Sequence, residues 1–349
     1  MASPKVFLTG ASGYIGGDAL YAIANAHSDW QLSALIRNKD KAEQVKAQYP
    51  NIRIIHGDLD SSDIIIEEVK NADIVFRQFA IQGFISWSSN YLYSPDFADR
   101  DHVAAAQAIS KGAENHTAER PLWLIHTSGS AILTVEDRRA HTYGIERPKQ
   151  YNDWEGVNEL INLPDDAYHR NVEKIILDTG KRHPSSVRTA IFCKTKSVQA
   201  YWLSAAVLKR GKGFLVGKGE NIWHQVHVQD LSDVYEALGA AAAAGGGKAT
   251  WNDEGYYFVE NGAFVWGDIQ RKIAEEAYAQ KFIQSPEVDS LDDVQITDIH
   301  PAEWYAWGSN SRGHAIRARK LFGWDPKRPS LIELIPDIVA LEAKDLGLI

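Results

Sequence analysis

The sequence contains a single cysteine among its 349 residues, so no disulfide can form within the chain. This is typical of proteins that fold in a reducing compartment. The sequence also lacks an apolar run approaching the roughly 18 residues needed to cross a bilayer. Its start, MASPKVFLTG, has no long apolar stretch of the signal-peptide kind. We therefore expect a soluble cytoplasmic protein with no membrane partner.

An excess of basic residues is also missing. The 37 lysines and arginines are outnumbered by 46 aspartates and glutamates, which gives a net charge of -9. Acidic proteins are poorly suited to sequence-independent contact with nucleic-acid phosphates, so no nucleic-acid partner is expected. Hydrophobic residues make up 44% of the chain, which is enough for one large domain or two coupled ones.

Short apolar runs alternate with helical patterns through the first half of the chain. The runs predicted as strands are KVFLTG (5–10), QLSALIR (31–37), NIRIIHGD (51–58), ADIVF (72–76), PLWLIHTSG (121–129) and PSSVRTAIFC (184–193). Strands separated by helices form repeated βαβ units, which build a parallel sheet with helices on both faces. The predicted fold class is α/β, a doubly wound parallel sheet with a smaller α+β lobe at the C-terminus.

A glycine-rich turn, TGASGYIGG (9–17), follows the first predicted strand and opens the first helix. Gly10 permits a tight turn, Gly13 lets the backbone approach a pyrophosphate, and Gly16 lets the helix pack close to the strand. The helix N-terminus then offers N–H groups and a positive dipole to the phosphates. Because this turn stands between a strand and a helix, it predicts a dinucleotide site. The predicted contact residues are Gly10, Ser12, Gly13, Tyr14, Ile15 and Gly16.

The G-x-x-G-x-x-G spacing resembles that of the extended and atypical short-chain dehydrogenase/reductase superfamily, and in particular its fungal NAD-dependent epimerase/dehydratase-like proteins. The resemblance covers nearly the whole chain. Outside the turn it is carried by HGDLD (56–60), LIHTSG (124–129), HRNVEK (169–174), VHVQDLSDVYEAL (226–238), GYYFVENG (255–262) and WGSNSRGHAIRARKLFGWDP (307–326). It implies a Rossmann-type NAD(P)-binding domain and a homodimer assembled through helices.

The cleft between two predicted units should hold the substrate. These units are a nucleotide-binding domain at 1–193 with about 225–245, and a substrate lobe at 194–224 and 246–349. Two segments beside the expected nicotinamide site depart from the family pattern. Residues 76–97 are long and rich in aromatics and serine where a short turn is expected, which is typical of a lid, a binding loop or an insertion. Residues 194–202 replace the usual proline-rich loop.

The end of the second predicted strand bears on the choice of cofactor. An acidic residue at this place binds the ribose 2′-hydroxyl of NAD, whereas an arginine suits the 2′-phosphate of NADP. The sequence has Arg37 followed by Asn38 and Lys39. NADP(H) is therefore the favoured cofactor, with NAD(H) as the alternative. By resemblance, Asp58 and Leu59 correspond to a pair that contacts the adenine, although Asp58 could instead cap the next helix.

The resemblance implies catalysis by a serine after the fifth strand and by a tyrosine and a lysine on one helix face, four residues apart. Ser128 matches the serine, and Lys174 matches the lysine that holds the nicotinamide ribose. The tyrosine position falls on Arg170, whose guanidinium stays protonated and suits the polarisation of a carbonyl or the binding of a carboxylate. Tyr168 could supply the missing acid if the helix begins near residue 169. His169 shares the face of Lys174 poorly on a regular helix.

Three interpretations of this helix stay open. The first is redox catalysis with a substitute acid, in which Ser128 orients the substrate oxygen. The second is contact of Lys174 with the cofactor without tyrosine-based redox chemistry. The third is a solvated basic face formed by Arg170 and Lys174, with Lys174 paired to Glu173 or Asp178.

The leading prediction is an NADP(H)-dependent oxidoreductase that acts on a small carbonyl or alcohol, in the setting of secondary metabolism. The aromatic content suits an apolar or aromatic small-molecule substrate. The alternatives are a non-redox enzyme on the same scaffold (an isomerase, cyclase or dehydratase) and a regulatory protein that binds NADP(H) without turnover. No metal is expected, because His224 and His227 are predicted to point to opposite faces of a strand.

Overall fold

The computed structural model describes residues 3–78, 101–194, 198–300 and 305–349. In chain order, its strands are β1 (Lys5–Thr9), β2 (Gln31–Ile36), β3 (Arg53–His56), β4 (Ile74–Arg77), β5 (Leu122–Gly129), β6 (Tyr151–Asn152), β7 (Val187–Lys194), β8 (Gly213–Val216), β9 (Ile222–His224), β10 (Tyr256–Phe258), β11 (Ala263–Val265), β12 (Val288–Leu291) and β13 (Gly313–His314). Its helices are α1 (Tyr14–Ala26), α2 (Lys39–Gln48), α3 (Ser62–Asn71), α4 (Val103–Ala113), α5 (Val135–Ala140), α6 (Val157–Ile161), α7 (Arg170–Arg182), α8 (Val198–Arg210), α9 (Val228–Ala243), α10 (Trp266–Ala279), α11 (Asp293–Ile299), α12 (Tyr305–Gly308), α13 (Arg317–Phe322) and α14 (Leu331–Asp345). Most of the predicted 76–97 loop, and residues 195–197 of the second unusual segment, lie outside the described residues.

Seven strands form one parallel sheet in the order β10-β7-β5-β4-β1-β2-β3. It contains all six runs that the sequence predicted as strands, and its central strands β1, β4 and β5 are almost wholly buried. Such burial follows from the helices on both faces. The strand order reverses between β1 and β4, the place at which folds of this class bind ligands beside the carboxyl ends of the strands. The predicted doubly wound α/β fold is confirmed.

The smaller lobe has a hydrophobic core of its own. Helices α8, α10 and α14 pack together beside the short parallel pair β8–β12. Trp223, Trp266 and Trp307 are fully buried in it. Much of the tryptophan content of the second half therefore serves packing. Among the described residues, every helix is too short or too polar to span a bilayer.

The boundary between the two cores differs from the predicted division at two places. Strand β10, which was assigned to the substrate lobe, pairs with β7 and forms the edge of the main sheet. Residues 315–324, also assigned to that lobe, contribute Ala315, Ala318 and Trp324 to the main core. Both corrections have one cause: the chain returns to the nucleotide-binding side after each excursion into the lobe, and the apolar pattern alone does not show which core a segment joins.

Buried carboxylates hold these returning segments in place. Asp153 accepts hydrogen bonds from the backbone N–H groups of Phe258 (2.8 Å), Ile316 (2.8 Å) and Arg317 (3.0 Å). Burial raises the pKa of Asp153 to about 6, although these hydrogen bonds favour its charged form. Part of the motif at 307–326 therefore has a structural role, because Ile316 and Arg317 anchor this segment to Asp153.

Candidate dinucleotide and reaction site

The glycine turn adopts the geometry that its sequence predicts. Gly10 has a φ of 71°, in the left-handed region that favours glycine, and its carbonyl accepts a hydrogen bond from Gly13 N at 2.9 Å. A Cβ added to Gly16 would lie 2.1 Å from Gly10 O, so a side chain cannot be accommodated there. Helix α1 begins directly afterwards at Tyr14, with Gly13 as an extended N-cap.

The surroundings of this turn fit a pyrophosphate. The N-cap of α1 is Gly13, which has no side chain to cap the helix, and the first turn of a helix is a place where backbone N–H groups can bind an anion. Gln78, at the end of β4, is only 1% exposed, and both polar atoms of its amide lack a hydrogen-bond partner among the described residues. Its Oε1 lies 2.8 Å from the position of a Cβ on Gly16. A buried amide without partners is costly, which points to a ligand or water at this place.

The residues predicted to bind the adenosine end lie at the carboxyl ends of β2 and β3. Arg37 is exposed. Asp58 accepts hydrogen bonds from the Ser61 hydroxyl at 2.8 Å and from Asp60 N at 3.1 Å. The Ser61 bond is the main reason why the pKa of Asp58 is lowered, and the charge of Arg37 adds to it. Asp58 thus shapes the turn that precedes α3, but it does not cap this helix as the alternative interpretation predicted, because the N-cap is Ser61. Leu59 packs partly buried against the main core, and contact of either residue with adenine stays a prediction.

Helix α7 turns Arg170 and Glu173 toward the interior. Arg170 is 6% exposed and donates a hydrogen bond from Nη2 to Ile161 O at 2.8 Å. Its Nη1 lies 3.7 Å from Glu173 Oε2. Glu173 is fully buried and accepts a hydrogen bond from Tyr256 OH at 2.9 Å. Arg170 is therefore not part of a solvated basic face, because its guanidinium is enclosed beside a carboxylate.

Burial raises the pKa of Glu173 to about 7, opposed by its neighbours Ser128, Tyr256 and Arg170. Ser128 is buried near the carboxyl end of β5, at the position predicted for the catalytic serine. Its hydroxyl has no well-formed hydrogen bond among the described residues. Ser128 and Glu173 are thus buried polar neighbours near the carboxyl end of β5.

Lys174 lies on the outer side of α7. Its side chain is 49% exposed, and Nζ contacts both carboxylate oxygens of Asp165, at 2.8 and 2.9 Å. Successive helical residues are about 100° apart, so Lys174 is turned away from the direction of Glu173. For Lys174, the structure corresponds to the solvated-lysine interpretation, with Asp165 as partner instead of Glu173 or Asp178. Contact of Lys174 with a bound cofactor stays a prediction.

Tyr168 faces the smaller lobe. Its ring stacks on that of Tyr305 with centroids 4.7 Å apart, and the Arg138 guanidinium lies 4.6 Å from the ring centroid. Both contacts are with residues that lie outside the main sheet. The structure thus gives Tyr168 packing contacts with Tyr305 and Arg138, and its role as a substitute acid stays a prediction.

His169 is the residue that sequence reasoning set aside. It is the N-cap of α7 with a φ of 66°, so the helical face rule does not apply to it. Its side chain is buried, and Nδ1 lies 2.9 Å from Asp101 Oδ1. A Cβ on Gly129 would lie 2.7 Å from His169 Nε2, so the ring packs against the carboxyl end of β5. The one sequence feature that points to His169 is its position directly before Arg170, where the resemblance places the tyrosine.

A cavity opens between the start of α1 and the smaller lobe. It is lined mainly by apolar side chains, including Tyr14, Ile15, Val226, Leu231, Phe264 and Trp266. The cavity adjoins the glycine turn, as the predicted substrate cleft should. Its neighbours His224 and His227 are separated in structure, because His224 ends β9 whereas the His227 side chain caps α9 by accepting a hydrogen bond from Gln229 N.

The parallel sheet and its glycine turn define a Rossmann-type protein that binds a nicotinamide dinucleotide. A family model described as NAD(P)H-binding matches residues 10–151. The chain is 34% identical to the oxidase ucsJ of an Acremonium species, over 99% of each chain. It is 25% identical to the uncharacterized protein YLL056C of Saccharomyces cerevisiae, over 94% of this chain and 97% of that one. The chain therefore belongs to the same family as the oxidase ucsJ, with an NAD(P)H-binding region at residues 10–151.

Solved structures show the same fold at low identity. A dTDP-glucose 4,6-dehydratase from Bacillus anthracis in complex with NAD superposes with a TM-score of 0.64 at 12% identity, covering 98% of this chain and 97% of that one. A UDP-Glc/GlcNAc 4-epimerase from Campylobacter jejuni gives a TM-score of 0.64 at 16% identity, covering 98% and 100%. At such identities the likeness concerns the fold, and it extends over the smaller lobe as well.

Proposed function

We propose that this protein is an oxidoreductase that uses NADP(H) to reduce a small carbonyl or to oxidise the corresponding alcohol. The observation that carries the proposal is the turn at 9–17, where Gly10 is left-handed, Gly16 packs closely against Gly10 and Gly13 is the N-cap of α1, a geometry that would suit a pyrophosphate. Identity of 34% to a protein named an oxidase, over the whole chain, supports redox chemistry. We retain secondary metabolism as its proposed setting.

The preference for NADP(H) rests on Arg37. This side chain is exposed at the carboxyl end of β2, where the adenosine ribose of a Rossmann-bound dinucleotide lies. A guanidinium there would pair with a 2′-phosphate in bidentate fashion. Solved structures of the same fold include NAD complexes, which makes NAD(H) the competing proposal.

In the proposed reaction, a bound nicotinamide would supply or accept the hydride. The chain itself orients and encloses the reactants. Ser128, near the carboxyl end of β5, would offer its hydroxyl to the substrate oxygen once the site is occupied. Arg170 acts through Glu173, which it neighbours at 3.7 Å, and is therefore a positioning residue. The apolar cavity beside α1 favours an apolar or aromatic substrate.

The test is calorimetric titration of the protein with NADPH and NADH. Wild type should bind NADPH more tightly, and Arg37→Ala should weaken NADPH by about tenfold while leaving NADH unchanged. Arg53→Ala is the matched control, because Arg53 begins β3 and pairs with Glu68 far from the carboxyl edge. If neither NADPH nor NADH binds to the wild-type protein, the oxidoreductase proposal is wrong. If Arg37→Ala weakens the binding of NADPH and of NADH equally, only the proposed preference for NADP(H) is wrong.

A non-redox enzyme is the second candidate. It is favoured by Arg170, which occupies the position where the resemblance places a proton-transferring tyrosine. Such an enzyme would bind the nucleotide and convert a substrate without net change in its redox state. A homodimer formed through helices belongs to the proposal on grounds of family membership, and sedimentation of the purified chain would test it.

A further inference from the structure

His169 occupies an unusual backbone conformation at the edge of the main sheet. Its φ of 66° is uncommon for a residue other than glycine. Its carbonyl still accepts the first helical hydrogen bond of α7, from Glu173 N at 3.0 Å. The left-handed turn thus lets His169 start the helix while its side chain leaves the helical path. Strained backbone of this kind collects at functional sites, where the surrounding structure holds it.

The imidazole is held from one side by a carboxylate. His169 Nδ1 lies 2.9 Å from Asp101 Oδ1, and the ring is 5% exposed. If Nδ1 carries a proton for this bond, Nε2 is the nitrogen that can exchange another. Nε2 faces Gly129, since a Cβ on that residue would approach it to 2.7 Å. A glycine at the end of β5 is thus required for the ring to lie there.

The topology brings this ring to the nicotinamide half of the site. The cradle at 9–17 lies at the carboxyl end of β1, and β2 and β3 follow on one side of it. A dinucleotide bound across this switch point would have its other half on the side of β4, β5 and β7. Gly129 ends β5, so His169 and Ser128 lie where the reacting half of the dinucleotide is expected.

We propose that His169, oriented by Asp101, is the residue that exchanges a proton with the substrate oxygen, in place of the tyrosine absent at position 170. This inference rests on the proposed function. In reduction, a hydride adds to the carbonyl carbon while protonated His169 donates its Nε2 proton to the carbonyl oxygen. C=O becomes CH–OH, and the imidazole is left neutral. In oxidation, neutral His169 takes the hydroxyl proton. The Nδ1 proton stays on the imidazole and is donated to the Asp101 carboxylate, which stabilises the charged ring in both directions of the reaction.

A test must distinguish His169 from the other titratable and charged groups around it. Among the described residues, Asp101 precedes α4 and contacts the ring, whereas the facing part of β5 contributes the neutral Ser128 and Gly129. Tyr168 adjoins it with ring centroids 6.3 Å apart. On α7, the guanidinium of Arg170 and the carboxyl of Glu173 contact each other. Glu173 is the main competitor, because its pKa of about 7 lies within the pH range of the test.

The experiment compares the pH dependence of NADP⁺ and NADPH binding by calorimetry. Oxidised nicotinamide carries a positive charge that the reduced ring lacks, and both nucleotides share the 2′-phosphate. Protonated His169 should therefore weaken NADP⁺ relative to NADPH by about tenfold between about pH 8.5 and about pH 5.5. His169→Asn should abolish this change in the affinity ratio. Asparagine is chosen because it tolerates left-handed backbone.

His141→Asn is the matched control. His141 also has a positive φ, 48°, but it is exposed at the end of α5. It should retain the pH dependence of the wild type. Glu173→Gln should retain it as well, if His169 is the titrating group. If the pH dependence of the affinity ratio is lost in Glu173→Gln but persists in His169→Asn, the proposal is overturned and proton exchange is assigned to Glu173.

A turnover arm uses 9,10-phenanthrenequinone, an apolar aromatic carbonyl, as the probe. If wild type reduces it with NADPH, His169→Asn should lose at least about a hundredfold in kcat while the affinity for NADPH stays unchanged. Asp101→Asn should retain NADPH binding and lose part of the rate. Full turnover by His169→Asn would refute the role of His169. If NADPH and NADP⁺ both fail to bind wild type, the proposed function falls first, and this inference falls with it.

Discussion

The glycine turn at 9–17 and the start of α7 at 168–174 both lie at the carboxyl edge of the main sheet, but they present chemistry in different ways. The turn acts through its backbone: the N–H groups of α1, the positive φ of Gly10 and the close approach at Gly16. The start of α7 acts through side chains. Their directions depend on the residue at which the helix begins, so a one-residue difference changes which groups face the site.

This difference explains why one region followed its sequence motif and the other did not. In the turn, a glycine is needed wherever a Cβ would collide, and the collision is a local matter. At α7, the motif pairs positions 170 and 174, whereas the structure buries Arg170 with Glu173 and exposes Lys174. His169 reaches the edge of β5 from a left-handed cap that no periodic pattern describes. Four predictions test this contrast, from the largest expected effect to the smallest.

Glu173→Ala should have the largest effect on stability. It leaves the buried guanidinium of Arg170 beside a void, and breaking a buried pair in this way costs about 3 to 5 kcal/mol. Urea unfolding monitored by tryptophan fluorescence measures the change. Glu275→Ala, exposed on α10, is the control and should leave the unfolding midpoint nearly unchanged. A loss below about 1 kcal/mol in Glu173→Ala would show that α7 is not anchored by this carboxyl.

Glu173 should also impose a pH dependence on stability. Its pKa is raised from 4.5 to about 7 in the folded state, so the native protein holds this proton more tightly than the unfolded chain. The resulting stabilisation is complete below about pH 4.5 and is lost as the pH rises through about 7. It amounts to roughly 3 kcal/mol, since one pKa unit corresponds to about 1.4 kcal/mol.

Glu173→Gln should remove this dependence. The measurement is the free energy of unfolding in urea at several pH values, with the variant subtracted from the wild type. The subtraction is needed because burial also raises the pKa of Asp153 and Glu342. Parallel curves for the two proteins would contradict the prediction.

Gly16→Ala should disrupt the turn. Its Cβ would meet Gly10 O at 2.1 Å, and overpacking of this kind costs about 1 to 3 kcal/mol. NADPH binding should be lost in calorimetry. Gly17→Ala is the neighbouring control, because its Cβ would lie 3.5 Å from Ala11 O, and alanine favours the helix. Normal NADPH binding by Gly16→Ala would show that the cradle is not the phosphate site.

Lys174→Ala should have the smallest effect. Its partner Asp165 is exposed, so the unfolding midpoint should hardly move. The affinity for NADPH should stay within about twofold of the wild-type value. Lys181→Ala, exposed later on α7, is the control. A tenfold loss confined to Lys174→Ala would restore the interpretation in which this lysine holds the ribose.

Much of the fold was predictable because its signals are local or periodic. All six predicted strands lie in the parallel sheet. Strand β10 was placed in the wrong unit, because three apolar residues carry no information about which sheet edge they will join. Among the site residues, the glycines were placed correctly, whereas the neighbourhood of Gln78 became visible only in three dimensions.

The sequence by itself determined the α/β class, the glycine turn between β1 and α1, and the absence of a tyrosine at position 170. These features depend on composition, on periodicity and on the steric demand of single residues. Tertiary structure alone decided that Glu173 is buried, that Lys174 pairs with Asp165, and that His169 meets Asp101 from 68 positions away along the chain. Such contacts depend on where α7 starts and on how it packs against α4 and β7, and neither is encoded within a short segment.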